Sequence, residues 1–193
     1  MLRSTFIFFA FLTACSAFAF VSPDSAELET LRLSIQKTHD PVLERKYLEL
    51  FPSDHQRFRR IFMGNDDNFD ELVDKTKEHL SLIDSLSEKY PKEVLHIWLG
   101  VAINGHWDAD AVGMFQHQLT RYAVNHTQEF ASALVAIPPE ERASIIRFLA
   151  DVENHRAYVE YPALLESLKG LGYLELHQQF TDARKRRMEQ HGH

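Results

Sequence analysis

Apolar residues recur at intervals of three and four along most of the chain beyond residue 25, which is the spacing of one face of an α-helix. The longest such series runs from Phe69 to Tyr90. Residues 94–103 are apolar on nearly every side of a helix, which predicts a central helix that the others surround. A strand that ends in a turn at Asn104 and Gly105 is the alternative for this segment. The whole pattern predicts a single all-α domain of about nine helices.

Residues that typically begin and end helices stand between the predicted helices. Pro41 and Pro91 occupy first helical positions, where the missing N–H costs nothing. Ser53 is predicted to cap the third helix, with Gln56 at the capping-box position. No segment repeats another at a fixed period, so a solenoid of identical units is not expected.

The composition fits one globular domain. The 193 residues are 45% hydrophobic and 25% charged, with only seven Gly and seven Pro. These values argue against disordered, collagen-like and turn-dense all-β chains. A domain of this size buries roughly 70% of the surface that its unfolded chain exposes, so it needs no metal or disulfide to fold. The single Cys excludes an internal disulfide and four-thiolate zinc or iron–sulfur sites.

The N-terminus has the pattern of a secretory signal. Arg3 is followed by an apolar run from Thr5 to Ala14 and then by small residues up to Ala19. The run is shorter than the roughly 20 apolar residues that span a bilayer, so export is expected rather than a permanent span. The predicted organisation is a signal region at 1–19, a tether at 20–25 and a helical domain at 26–193.

The leader contains two candidate cleavage sites. Residues 17–19 read Ala-Phe-Ala, which would leave a soluble mature chain. Residues 12–15 read Leu-Thr-Ala-Cys, which resembles the lipobox of bacterial lipoproteins. The resemblance covers the first 16 residues and implies that Cys15 is diacylated and becomes the new N-terminus. Ser16 stands where an inner-membrane retention signal would carry Asp, which implies anchoring to the outer membrane on its periplasmic side.

The charge balance argues against a nucleic-acid partner. The chain carries 28 acidic and 21 basic residues, and the leader holds one of the basic residues, so the mature part has a net charge of −8. Proteins that bind nucleic acid usually show a basic stripe. The one basic run, Arg184 to Arg187, lies near the end of a predicted helix, where cations favour the helix dipole.

The sequence carries none of the familiar catalytic or cofactor motifs. It contains no His-Glu-x-x-His, and Glu93 to His96 is the only Glu-x-x-His pair of the kind that di-iron bundles use twice. A Gly-x-Ser-x-Gly elbow and a Walker A loop are also missing. We therefore predict a protein that is not an enzyme and that uses no cofactor or metal.

One segment concentrates polar and aromatic chemistry. His106, Trp107, Asp108 and Asp110 follow the most apolar predicted helix within five residues. They could bind a cation, act as acid and base, or anchor a partner. The alternative is structural, because Asp108 or Asp110 could cap the next helix.

An acidic cluster is the second candidate for partner binding. One interpretation is structural, because acidic residues at the start of a predicted helix complement the helix dipole and can form a solvated face. A negative patch on an exported protein can also steer a cationic partner. The cluster comprises Asp66, Asp67, Asp70, Glu71 and Asp74.

These features favour a non-enzymatic binding protein at the cell envelope, with a protein partner and a membrane contact through the lipid anchor. Bacterial immunity proteins, which neutralise toxins by occlusion, are similar in class: small, exported or lipidated, and poor in motifs. Two alternatives remain. The first is an envelope metal-binding protein or hydrolase that uses His106, Asp108 and Asp110, and the second is a structural envelope lipoprotein.

Overall fold

The computed structural model describes residues 23–63, 72–108, 110–152 and 158–191. These ranges contain ten α-helices, one short 3₁₀ helix at Val73–Lys75 and no strand. The α-helices are α1 (Pro23–Thr38), α2 (Pro41–Leu50), α3 (His55–Phe62), α4 (Thr76–Leu86), α5 (Pro91–Ala102), α6 (Ala111–Asn125), α7 (Thr127–Ala136), α8 (Pro139–Ala150), α9 (Glu160–Gly170) and α10 (Leu174–His191). The all-α prediction is confirmed, and the strand alternative for residues 94–103 does not form.

Three predicted boundaries were wrong. Helix α1 begins at Pro23, so residues 23–25 belong to the first helix and not to a tether. Asp54 caps α3 in place of Ser53, because its carboxylate accepts the N–H of Arg57 at 2.8 Å. The helix predicted to end at Tyr90 stops at Leu86.

The break after α4 has a local cause. The hydroxyl of Ser87 donates to the carbonyl of Asp84 at 2.6 Å, which competes with continuation of the helix. Tyr90 then precedes Pro91 and leaves the helical region, with φ −131° and ψ 57°, because the proline ring crowds the residue before it. The predicted helix therefore ends four residues early, in a turn that periodicity could not reveal.

Helix α5 lies at the centre of the core, as its apolar sequence predicts. Trp98 of α5 has no exposed surface. Its ring centre lies 5.1 Å from that of Phe115 and 6.3 Å from that of Tyr122, both on α6. Phe58 of α3 packs against Phe115 at 4.9 Å. Each such buried aromatic contributes about 1.5 to 3 kcal/mol of hydrophobic stabilisation.

A glycine sets how closely the chain before α3 approaches α5. A Cβ on Gly100 would lie 2.3 Å from the backbone oxygen of Ser53, a distance that no side chain tolerates. The α2–α3 connection therefore crosses α5 in direct backbone contact. This crossing fixes the position of α3, which contributes to the candidate site described below.

A polar network joins α1, α2 and α4 inside the domain. The Tyr47 hydroxyl and Nδ1 of His79 are 2.8 Å apart. Nε2 of His79 lies 3.1 Å from a carboxylate oxygen of Glu29, at an angle that departs from a hydrogen bond. Arg32 donates to both oxygens of Glu29, at 2.6 and 2.8 Å, and this hydrogen bonding lowers the pKa of Glu29.

None of the helices in the described ranges combines the length and apolar character needed to cross a bilayer. The predicted signal region and Cys15 lie outside the described residues.

Candidate functional site

The α5–α6 loop, residues 103–110, carries the four predicted site residues and packs against α8. The backbone N–H of Asn104 donates to the Ser144 hydroxyl at 2.6 Å. A Cβ on Gly105 would lie 2.7 Å from the ring of Phe148, so only glycine permits this approach. Asn104 adopts a positive φ of 56°, which asparagine tolerates better than most residues. The start of the loop is thereby held in one position.

Helix α3 holds the loop from another side. Arg59 of α3 forms a salt bridge of 2.7 Å with the carboxylate of Asp108. Both side chains are partly exposed, so the pair adds roughly 0 to 1 kcal/mol to stability. Its larger effect is geometric, because it fixes the middle of the loop against α3.

Two histidines meet where the loop crosses α3. His55, the first residue of α3, is only 6% exposed, whereas His106 of the loop is exposed. Their ring centres are 4.7 Å apart and their planes are inclined by 63°. Burial is the main cause that lowers the pKa of His55 to about 4, and the neighbouring side chains of His106 and Arg59 add to it. The Val101 carbonyl opposes this shift, yet neither ring nitrogen of His55 has a hydrogen-bond partner of acceptable geometry among the described residues.

The end of the loop is more open. Trp107 is half-buried, and its backbone N–H points to Asp151 at 3.4 Å, a long contact. Asp151 also pairs with Arg187 of α10. Asp110 is exposed at the N-cap position of α6 with φ 53° and ψ −106°, and its side chain makes no capping hydrogen bond. The interpretation of Asp110 as a helix cap was therefore wrong.

The strain at Asp110 is unusual for a residue other than glycine. Such backbone conformations cost about 1 to 3 kcal/mol and cluster at binding sites. No capping hydrogen bond offsets this strain, and the side chain of Asp110 is exposed. The loop thus presents an imidazole, an indole and a carboxylate on a backbone that other helices hold.

Most of the predicted acidic cluster lies outside the described residues. Its members Asp66, Asp67, Asp70 and Glu71 lie outside the described residues. Asp74 is exposed in the 3₁₀ helix and stands ahead of α4. The structure therefore assigns it no contact with the α5–α6 loop.

Sequence reasoning missed the α3 half of the site. His55 and Arg59 stand about fifty residues before the loop that they contact. The spacing of apolar residues in α3 predicts which face of the helix is buried, but it does not predict which loop packs against that face. His117 of α6 lies beside Tyr158 and Glu160, with its ring centre 4.4 Å from that of Tyr158.

Across the described ranges, no group of three or more His, Cys, Asp or Glu side chains is placed to hold a metal ion. Two pockets, of about 320 and 650 Å³, lie elsewhere: one is lined by residues of α2 and α5, the other by residues of α1, α2 and α4.

Comparison of the chain with protein-family models, with curated proteins and with solved structures found no match. The functional proposal therefore depends on the leader sequence and on the geometry of the α5–α6 loop.

Proposed function

We propose that the protein is an exported, lipid-anchored binding protein of the cell envelope, which recognises a protein partner through the α5–α6 loop. Its action is inhibition by occlusion, as in an immunity protein that covers the active site of a toxin. The leader supports export, and the Leu-Thr-Ala-Cys sequence at residues 12–15 supports the anchor.

The observation that carries the proposal is a loop that is held at residues 104 and 108 while other side chains in it are exposed. Asn104 is held by Ser144, and Asp108 by Arg59, while His106 and Asp110 remain exposed. Ordering a flexible loop on binding costs free energy, so a loop that is already held favours association. This arrangement suits a recognition surface.

The residue types also suit a protein interface. Tryptophan is enriched among the residues that contribute most to protein binding, and Trp107 is half-buried at the loop. Asp110 supplies a negative charge three positions further along the chain, and the mature part carries a net charge of −8. Such a surface favours a partner whose contacting face is basic, and it raises the association rate by electrostatic attraction.

Site-specific photo-cross-linking tests the proposal directly. A benzoylphenylalanine replaces Trp107 in the full-length protein, expressed in its own cells, and irradiation is followed by mass spectrometry of the cross-linked species. The matched control carries the same residue at Val135, which is 55% exposed on α7, away from the loop. We expect a defined partner from position 107 that is missing from position 135.

The identity of the captured protein decides between the functional classes. A secreted or delivered enzyme whose activity falls on addition of the protein supports inhibition. Resident envelope proteins captured in constant amount would instead support a structural lipoprotein. Equal capture from positions 107 and 135, or none from either, would exclude the α5–α6 loop as the recognition surface.

Affinity measured on loop variants gives the second test. Trp107→Ala should weaken the complex by at least about tenfold, equivalent to about 1.4 kcal/mol. Lys92→Ala, an exposed substitution at the start of α5, serves as the control and should leave affinity unchanged. Unchanged affinity in Trp107→Ala would contradict the proposal.

A further inference from the structure

His55 is the least satisfied polar side chain at the α5–α6 loop. It is 6% exposed, and neither of its ring nitrogens has a hydrogen-bond partner within the part of the chain that the structure describes. A buried polar group without a partner costs about 1 to 3 kcal/mol. Such groups in folded proteins usually point to a bound water or ion, or to a functional role.

A second imidazole stands beside it. The ring of His106 has its centre 4.7 Å from that of His55. Metal–nitrogen bonds of 2.0 to 2.1 Å place two ligating ring nitrogens roughly 3 to 3.5 Å apart in tetrahedral or square-planar geometry. Two rings whose centres are 4.7 Å apart can meet that requirement with small rotations.

The two histidines differ in ways that suit an ion entering from solvent. His55 is held in the interior, with its ring edge-on to Phe148 at 5.9 Å. His106 is exposed, so one imidazole of the pair is accessible from solvent. The backbone that carries His106 is fixed by the contacts of Asn104 and Gly105 to α8, which preorganises the pair.

The surroundings of the pair fit a ligating role. The nearby guanidinium of Arg59 is paired with Asp108, which limits its repulsion of a cation.

We propose that His55 and His106 are the two protein ligands of a transition-metal site, which takes a divalent cation of the imidazole-binding class such as Cu²⁺, Ni²⁺ or Zn²⁺. Water completes the coordination, since the pair supplies fewer ligands than a closed structural site. Affinity should follow the general order for nitrogen sites, with Cu²⁺ above Ni²⁺ and Zn²⁺. This inference is independent of the proposed partner.

The test is calorimetric titration of the full-length protein, purified without a polyhistidine tag, with Cu²⁺ and then Zn²⁺. His191 and His193 are replaced by Ala in every sample, so that the C-terminal histidines cannot bind the metal. His106→Ala is the test variant, because its exposed side chain can be removed without opening the core. His96→Ala, which removes an exposed histidine of α5, is the matched control.

We expect one equivalent of metal in the parent and in His96→Ala, and an affinity at least about tenfold lower in His106→Ala. Electron paramagnetic resonance of the Cu²⁺ complex should show two imidazole nitrogens in the parent and one in the variant. Cu²⁺ should also quench the fluorescence of Trp107, next to His106, in the parent and in His96→Ala but more weakly in His106→Ala at the same metal concentration. Circular dichroism confirms that all proteins are folded.

The proposal is overturned if the parent and His106→Ala bind with the same affinity and stoichiometry. It is equally overturned if the parent binds no metal, or if the spectrum shows no imidazole nitrogen. A loss of partner binding with metal binding intact would leave this inference standing while it removed the proposed function, so the two failures are distinguishable.

Discussion

Lowering the pH should destabilise the protein through His79, an imidazole of α4 with no exposed surface. Burial is the main cause that lowers its pKa from 6.5 to about 4; Glu29 opposes the shift, and Arg32 and Lys75 add to it. The unfolded chain therefore takes up a proton in this range that the folded protein does not. Stability falls as the pH drops from 6.5 to 4, and below 4 the loss is complete.

The size of the effect follows from the two pKa values. At pH 5 the linkage amounts to about 2 kcal/mol, and at full protonation to about 3 kcal/mol. His55, with a pKa also near 4, adds a similar loss over the same range. The lowered pKa of Glu29 acts in the same direction, but only as the pH falls through and below its ordinary value of 4.5. Measurements between pH 7 and pH 5 therefore isolate the histidines.

The variant His79→Gln separates the two histidines. Glutamine can hydrogen-bond to Tyr47 but cannot be protonated, so the variant should lose about 2 kcal/mol less than the parent between pH 7 and pH 5. Urea unfolding followed by circular dichroism gives the free energy of unfolding at each pH. His96→Gln, on the exposed face of α5, should keep the parent's dependence. Equal pH dependence in the parent and His79→Gln would refute the reasoning.

Three further predictions concern the scaffold and the anchor. Gly100→Ala should destabilise the protein by about 1 to 3 kcal/mol or more, because its Cβ would lie 2.3 Å from the Ser53 oxygen. Gly170→Ala is the control, since its Cβ would meet nothing within 4 Å. In the same urea assay this control should be neutral or stabilising by up to about 1 kcal/mol. Ser144→Ala should remove about 1 kcal/mol and speed hydrogen exchange at the loop amide that donates to it, and unchanged exchange would show that this bond does not hold the loop. Cys15→Ala should abolish incorporation of an alkyne-labelled fatty acid, whereas labelling that persists would refute lipidation at this residue.

Helical periodicity was enough to predict the fold class because most helices bury one continuous face. The series of Leu80 and Ile83 on α4 and of Val94 and Trp98 on α5 are buried as predicted. Boundaries were less predictable where side chains compete with the backbone. The hydroxyl of Ser87 ends α4 by a local hydrogen bond that leaves no trace in the spacing of apolar residues.

The candidate site was predictable in half of its residues. Residues 106–108 stand together in the chain, so their concentration of polar and aromatic groups is visible in the sequence. His55 and Arg59 reach them only through the packing of α3, which is a long-range contact that no local pattern encodes. Asp110 was misinterpreted because aspartate is common at N-caps. At its observed φ of 53° its side chain makes no capping hydrogen bond.

The position of α3 connects the stability of the domain to the geometry of the site. The backbone at Ser53 crosses α5 at Gly100, and the helix that begins two residues later carries His55 against the ring of His106. Arg59, one turn further along the same helix, holds the loop through Asp108. Because both contacts depend on a single crossing, a shift of α3 would move the imidazole pair and the salt bridge together. The packing of the core therefore holds the shape of the loop, including the backbone at residues 104 and 110, where φ is positive.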